Sequence, residues 1–523
     1  MNFRQYPQLT KVVVPNSVDW RNKTAGYAFY NMKNLKSISI PSTIENTDYV
    51  CYNCSNLTSA VCGPNVSNMY YAYYSCRNLT SAVCGPNVIN MSNAYKGCYN
   101  LTTPVCGPNV VDMSEAYSHC RNLTSAVCGP NVSNMDYAYY NCRNLTTAVC
   151  GPNVIDMSEA YRWCYNLTTP ACGPNVTNMD NTYENCQNLT TAVCGPNVTN
   201  MDNTYRNCYK LTTAVCGPNV VNMCSTYDNC YNLTTAVCGT NVVDMHSAYW
   251  DCYNLTTAAC GPNVVDMYGA YKNCYNIKSA VCGDNVVNMA FTYQNCKSIT
   301  TAVCGPSVTN MSSAYSGCTN LTTAVCGPNV VHMNSTYSGC NNLETAVCGP
   351  NVVYMFGTYS SCLKLKTAAC GPNVTNFSRA YMYCDNITTP ACGKNVSDMS
   401  NTFFHCWNLK TAVVGPNVSN AHNAFSQCRP ERAYIYSNNV VDIVNCFGER
   451  SPSFKTNIYV HEGTTTNTLI HYTNTSSIIG KNITWSNAGT YQYNTYYNIY
   501  IYPVANVDAA RIANGDPDYM GNL

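Results

Sequence analysis

A chain of 523 residues in which 27 basic side chains face 26 acidic ones, with only 10% charged residues in all, offers no positive footprint for a nucleic-acid backbone. No run approaches 18 consecutive apolar residues, so no segment is long enough to cross a bilayer as a helix. Length alone would suggest three or four domains, but the sequence repeats itself, and an array replaces that estimate.

The chain opens with MNFRQYPQLTKVVVPNSVDW, which has neither the apolar core nor the small-residue cleavage site of a standard export signal. Residues 1–53 read as degenerate amino-terminal repeats or a cap. Residues 54–428 are a regular array: NLTTAVCGPNV begins at Asn144 and returns verbatim at Asn188 and Asn320, separations that are multiples of 22. In the copy running from Leu57 to Asn78, the positions that stay apolar elsewhere are Leu57, Ala60, Cys62, Val66, Met69, Ala72, Tyr73 and Cys76. Ala60 and Cys62 alternate with Val61, as a half-buried strand requires. Met69, Ala72, Tyr73 and Cys76 fall at i, i+3, i+4 and i+7, which predicts the inward stripe of a short helical segment, with Asn68 as its cap. Gly63-Pro64-Asn65 is the turn between them, where Gly is expected for positive φ and Pro to end the strand. No single unit can bury its own apolar face, so the array is itself the core. Residues 429–449 read as a degenerate last repeat. Residues 450–523, rich in β-formers with Gly, Asn and Ser turn signals, read as a β-rich cap or attachment module ending in a flexible or docking tail.

At its amino-terminal end the array reads LTKVVVPNSV (Leu9 to Val18) and YAFYNMKNLKSISIPSTI (Tyr27 to Ile44). These copies resemble the BspA-like leucine-rich repeat, with its alanine-aromatic pair and its isoleucine-x-isoleucine-proline strand. The later copies resemble a 22-residue variant in which Cys-Gly-Pro replaces Ile-Pro and Tyr replaces Phe. The resemblance spans roughly residues 5 to 449 and implies an α/β repeat fold: a leucine-rich-repeat solenoid with a parallel sheet on one side and short helical turns on the other, followed by a small β-rich carboxyl-terminal module. About twenty turns would give roughly 90 to 100 Å at the usual strand spacing. The resemblance also implies a surface adhesin or virus-associated binding protein.

Two cysteine ladders run through the array. One goes from Cys54 every 22 residues to Cys428 and holds eighteen cysteines; the other goes from Cys62 to Cys392 and holds sixteen. Cys51, Cys224 and Cys446 bring the total to 37, an odd number that excludes complete pairing within one chain. Reduced core thiols, disulfides and a soft-metal ladder are the three readings. The apolar replacements Met32, Ile40 and Val414 favour thiols that fill volume. Cys224 sits instead at the outward, variable place held by Tyr70 in its own repeat, and is the candidate reactive thiol. The repeated Asn-Leu-Thr phrases fit glycosylation sites but equally a turn Asn followed by strand residues.

Binding specificity is sought where the fold does not dictate the residue. The positions flanking the first ladder vary most: Arg77, Arg121, Arg143, Arg162, Trp163, Tyr165, Arg206, Tyr209, Tyr231, Trp250, Tyr253, Tyr275 and Trp407. Arg and aromatic side chains anchor interfaces and stack on sugars, which makes this stripe the candidate contact surface. No catalytic constellation, phosphate-binding loop, metal-ligating set or cofactor motif is found, so the chain is read as non-enzymatic. The expected function is recognition of a host surface protein or glycan from a virion or cell surface, with cytoplasmic residence before assembly. Residues 450–523 are expected to contact other virion or surface subunits. The alternatives are a structural spacer or decoration protein and an intracellular protein-interaction scaffold.

Overall fold

The computed structural model describes residues 3–18, 20–437, 446–447, 456–461, 491–492, 499–504 and 506–517. The chain divides into two units, Met1–Val264 and Val265–Leu523.

In the first unit the strands β1 (Lys11–Val13) and β2 (Ser37–Ser39) pair in parallel, Val12 opposite Ile38. From there the chain coils with the 22-residue period. Seven of the eight predicted inward positions are buried, with Leu57, Val66, Met69, Ala72, Tyr73 and Cys76 fully so; the thiol of Cys62 alone is part-exposed. A one-residue-wide parallel ladder runs up one edge through Asn46, Asn68, Asn90, Asp112 and Asn134.

The stripe from Met69 to Cys76 is buried as expected, but it is not a helix. It is a run of turns in which N–H groups alternate between two destinations. Those of Met69, Tyr71, Tyr73 and Ser75 donate to carbonyls of the next coil (Asn90, Ser92, Ala94 and Lys96) at 2.7–3.1 Å. Those of Ala72, Tyr74 and Cys76 donate three residues back within the coil. The alternation needs a left-handed residue at every fourth place, and Tyr71 (φ 53°) and Ser75 (φ 56°) supply it. The same two places are left-handed in copy after copy, which is why the one before each first-ladder cysteine is so often Asn, Ser or Gly. Asn68 does act as a local cap: its Oδ1 accepts from the N–H of Tyr70 at 3.1 Å.

The expected strand is also altered. The hydroxyl of Tyr95 donates to the carbonyl of Val83 at 2.5 Å and accepts from the N–H of the same residue at 3.0 Å. The core tyrosine thus takes both backbone groups that a neighbouring strand would have used. What remains between coils on this side is single bridges such as Ser81 with Thr103. Threonine hydroxyls add stitches, Thr168 Oγ1 donating to Thr146 O at 3.1 Å. The glycine of Gly-Pro-Asn serves close approach rather than positive φ: a Cβ on Gly129 would lie 2.8 Å from Gly107 O and 2.9 Å from Cys106 Sγ.

The second unit repeats this pattern, its bridge ladder running from Asp266 through Asn310 and Tyr354 to Asn420. It ends in a five-stranded sheet of order β3-β4-β5-β7-β6, made of Thr411–Val414, Arg432–Ile435, Thr456–His461, Ile499–Val504 and Tyr491–Gln492. Its pairings are parallel except β6 with β7. The single α-helix among the described residues, α1 (Val507–Ala513), starts at Asn506, whose side chain accepts from Ala509 N. The tail expected to be flexible or docking folds back onto β4. Asp516 accepts from Arg432 Nε at 2.8 Å and from the Tyr434 hydroxyl at 2.6 Å, and Asp508 accepts from the Tyr436 hydroxyl at 2.9 Å. Most of 438–455 and 462–498, which holds much of the expected last repeat and β-rich module, lies outside the described residues.

Candidate recognition surface

The expected stripe occupies adjoining tracks on either side of the first-ladder cysteines. In the first unit the structure brings most of its members into contact with one another. Arg77 and Arg121 lie over the ring of Tyr99, at 5.4 and 5.1 Å from its centroid. Arg143 lies 5.5 Å from the Tyr165 ring and donates from Nε to Asn141 Oδ1. Arg162 is 5.4 Å from the Trp163 ring, 2.8 Å from Glu159 Oε2 and 2.6 Å from Glu184 Oε2. Trp163 holds a left-handed backbone (φ 65°), unusual for an aromatic residue, and its ring meets Tyr140 at 5.2 Å. Arg206 pairs with Asp228 at 3.1 Å. Tyr209, Tyr231 and Tyr253 form a parallel stack with centroids 5.1 and 4.9 Å apart. Trp250 falls on the same track as Arg162 and Arg206. In the second unit Tyr275 lies under Lys297 at 5.0 Å, and Trp407, 39% exposed, lies under Arg429 at 5.1 Å and donates from its indole N–H to the His405 ring. Many ring faces on this surface are therefore occupied by neighbours, which leaves their edges and hydroxyls for a partner.

Three features escaped the sequence reading. The first is Tyr99, the centre of the Arg77–Arg121 sandwich. The second is a double row of tyrosines near the amino terminus: Tyr27, Tyr49 and Tyr71 stack at 4.6 and 5.0 Å, and Tyr30, Tyr52 and Tyr74 stack beside them at 4.8 and 4.5 Å. Its signal was legible, since Tyr-x-x-Tyr recurs in three consecutive copies. The third is a groove of about 850 Å³ in the first unit between an asparagine row and a row of β-branched residues, lined among others by Asn153, Ile155, Asn197 and Val221. Each such Asn is held by its own coil stacking, as Asn153 Nδ2 donates to Pro130 O at 2.9 Å.

Carboxylates gather on the turn side of the first unit. Burial, then Asp156 and Glu159, raises the carboxyl of Asp136 from its ordinary 3.8 to about 7. Burial and Asp202 raise Asp180 to about 6. The thiols behave alike. Those of the first ladder donate to carbonyls of the preceding coil, Cys98 Sγ to Tyr73 O at 3.1 Å, and burial pushes Cys98 up to about 12. Cys224 runs against the expectation of a reactive thiol. Burial and the Asp202 carboxylate push it up to about 12, so at neutral pH it holds its proton, whereas a nucleophilic cysteine needs the opposite environment. Among the described residues no two cysteines are joined in a disulfide. Among the described residues no group of three or more His, Cys, Asp or Glu side chains converges as a metal site, and no helix is long and apolar enough to cross a membrane.

Coils of one 22-residue phrase, a leucine-led apolar column and bridges between successive turns define a leucine-rich-repeat protein. The profile of the family described as "BspA type Leucine rich repeat region (6 copies)" matches residues 1–124, 91–212, 182–300, 268–379 and 337–451, and the chain belongs to that family. Among solved structures it is similar to a leucine-rich repeat protein from Bacteroides ovatus, at 14% identity over 64% of this chain and 78% of that one, with a TM-score of 0.38. It is also similar to a leucine-rich cell surface protein from Faecalibacterium prausnitzii, at 17% identity over 69% and 87%, with a TM-score of 0.32. The functional domain of InlJ from Listeria monocytogenes, which includes a cysteine ladder, is 15% identical over 73% and 74%, with a TM-score of 0.18. No curated protein sequence matches the chain.

Proposed function

We propose that this protein is a non-enzymatic recognition protein, displayed on a virion or cell surface, which binds a host protein or glycan through the stripe of Arg, Tyr and Trp that flanks the first cysteine ladder. The observation that carries the reading is the contrast between tracks. Inward positions repeat almost unchanged, whereas the flanking positions vary and collect the residue types that dominate interface energetics. The filled ring faces around Tyr99 and Tyr231 favour a protein partner, which can use ring edges and hydroxyls, over a sugar that must lie flat on a face. The spacer reading draws on the same contacts, because guanidinium and ring pairs also stitch coils together.

The test has two arms. Immunogold electron microscopy of the producing culture, with an antibody to residues 450–523, should label particle or cell surfaces; label confined to the cytoplasm would remove the adhesin reading in favour of the intracellular scaffold. Alanine at Trp163, Tyr209, Tyr231 and Tyr253 together should abolish binding to target cells while the chain still folds. Binding that survives this change would leave the stripe as stitching and the spacer as the better reading.

A further inference from the structure

Fifteen of the sixteen second-ladder cysteines are followed seven residues later by methionine, Cys370 with Phe377 being the exception. The two types also disappear together: where the ladder position is Ile40 or Val414, the residue seven places on is Thr47 or Ala421. Folding brings the members of a pair into contact. The sulfur atoms lie 3.5 Å apart in Cys84/Met91, 3.7 Å in Cys194/Met201 and 3.5 Å in Cys348/Met355.

Except at Cys392, which is buried, each paired thiol is part-exposed while its methionine is fully buried, so solvent reaches these pairs from the cysteine side. A backbone N–H from the following coil points at the cysteine sulfur, Gly85 N at 3.1 Å from Cys62 and Gly261 N at 3.1 Å from Cys238. The thiol's own carbonyl acceptor is distant, 3.6 Å for Cys84 to Gly85 O. The thiol also donates to the methionine sulfur, and burial keeps it protonated; the N–H from the following coil is the group that would stabilise a thiolate once a cation offsets the cost of burying it.

We propose that the Cys–Met pairs bind a thiophilic monovalent d10 cation of the copper(I) and silver(I) class, one ion per pair. In each binding step the cysteine S–H bond breaks and a metal–thiolate bond forms. The methionine sulfur donates a lone pair to the same ion, and the proton leaves to solvent. No electron is transferred. Thiolate with thioether is the donor set that selects copper(I) over harder divalent ions. With metal–sulfur bonds of about 2.3 Å, linear two-coordination sets the sulfurs about 4.6 Å apart, so the flexible methionine must open the pair by about 1 Å as the ion enters. The first ladder lacks this pairing, its thiols being fully buried and bonded to carbonyls.

The experiment is an anaerobic titration of the reduced full-length chain with silver(I) in chloride-free buffer, following proton release and the ultraviolet thiolate-to-metal band. The expected result is a tight phase of up to fifteen ions, matching the fifteen Cys–Met pairs, with one proton released per ion and the far-ultraviolet circular dichroism unchanged. Replacing Met179, Met201 and Met245 together by Leu, which keeps volume and every cysteine, should remove three ions from that phase. Should the triple variant fail to fold, Met201→Leu alone, read by native mass spectrometry, should bind one ion fewer. Silver uptake only after unfolding, or an unchanged tight phase in the leucine variants, would overturn the proposal and leave the pairs as packing partners.

Discussion

The hydroxyl of Tyr161 donates to Val149 O at 2.6 Å and accepts from Val149 N at 3.0 Å, inside a ring that is otherwise fully buried among apolar neighbours. One atom therefore satisfies both polar groups of a residue in another part of the same coil. Tyr161→Phe should leave that N–H and carbonyl unpaired and cost about 1–3 kcal/mol in denaturant unfolding. An unchanged midpoint and slope would show that the backbone groups find other partners. The two true strand pairings near the ends of the array agree with this account. At β3 the corresponding ring is Phe425, and at β2 the position is held by Cys51; neither carries a hydroxyl, and there the strands bond to a neighbour, although the coil closed by Phe403 keeps only the bridge at Thr389. The substitution of Tyr for Phe was visible in the sequence, but its effect was not. Periodicity reports which side chains point inward and is silent on where a hydroxyl twelve residues away will be spent.

At the scale of the element, the i, i+3, i+4, i+7 stripe identified the buried face correctly and the secondary structure wrongly. A stack of turns with a left-handed residue at every fourth place shows the same apolar spacing as one or two turns of helix. The distinguishing signal lay in the intervening residues. Asn53, Asn141, Asn185 and Asn207, with Gly97, Gly317 and Gly339, mark the left-handed place that an α-helix would not tolerate so regularly. The glycine of Gly-Pro-Asn was likewise recognised as required, but for a backbone angle it does not adopt, because close approach between coils has no trace in one copy read alone. The same turn run carries the carboxylates. Asp136 is protonated more readily in the folded chain than its ordinary 3.8, so folding is favoured at low pH and that advantage is lost as pH rises through about 7. Asp156, Glu159, Glu115 and Asp112 are the charges facing it. Thermal stability should therefore fall between pH 4 and pH 7, and Asp136→Asn should flatten that slope. An equally steep slope in the variant would assign the pH dependence to other groups.

Through the regular array, the backbone bonds between coils join residues separated by 21 to 23 positions, and those within a coil join near neighbours. Removing residues 189–210, one full period inside the first unit, brings Cys186, Gln187 and Asn188 against Leu211 in the same phrase that Leu189 had completed. The shortened chain should fold with a single cooperative transition, whereas removing 21 of those residues should give a soluble-yield loss and a split or absent transition. Equal behaviour of the two deletions would mean that register between coils is not what holds the array. The family and the repeat were legible because eight inward positions keep phase through the array. The candidate surface was legible only as a list of variable residues, since which of them meet depends on the turns that the spacing did not reveal.

The tyrosine that closes each coil upon itself has a consequence for how such a gene can change. A whole coil arrives with its own hydroxyl, its own left-handed turn residues and its own donors for the next coil, so copying or losing one leaves no orphaned group on either side. Unequal crossing-over between the near-identical phrases would then yield chains of different reach that all fold. Natural variation in this protein should fall in steps of 22 residues, with the ends held constant.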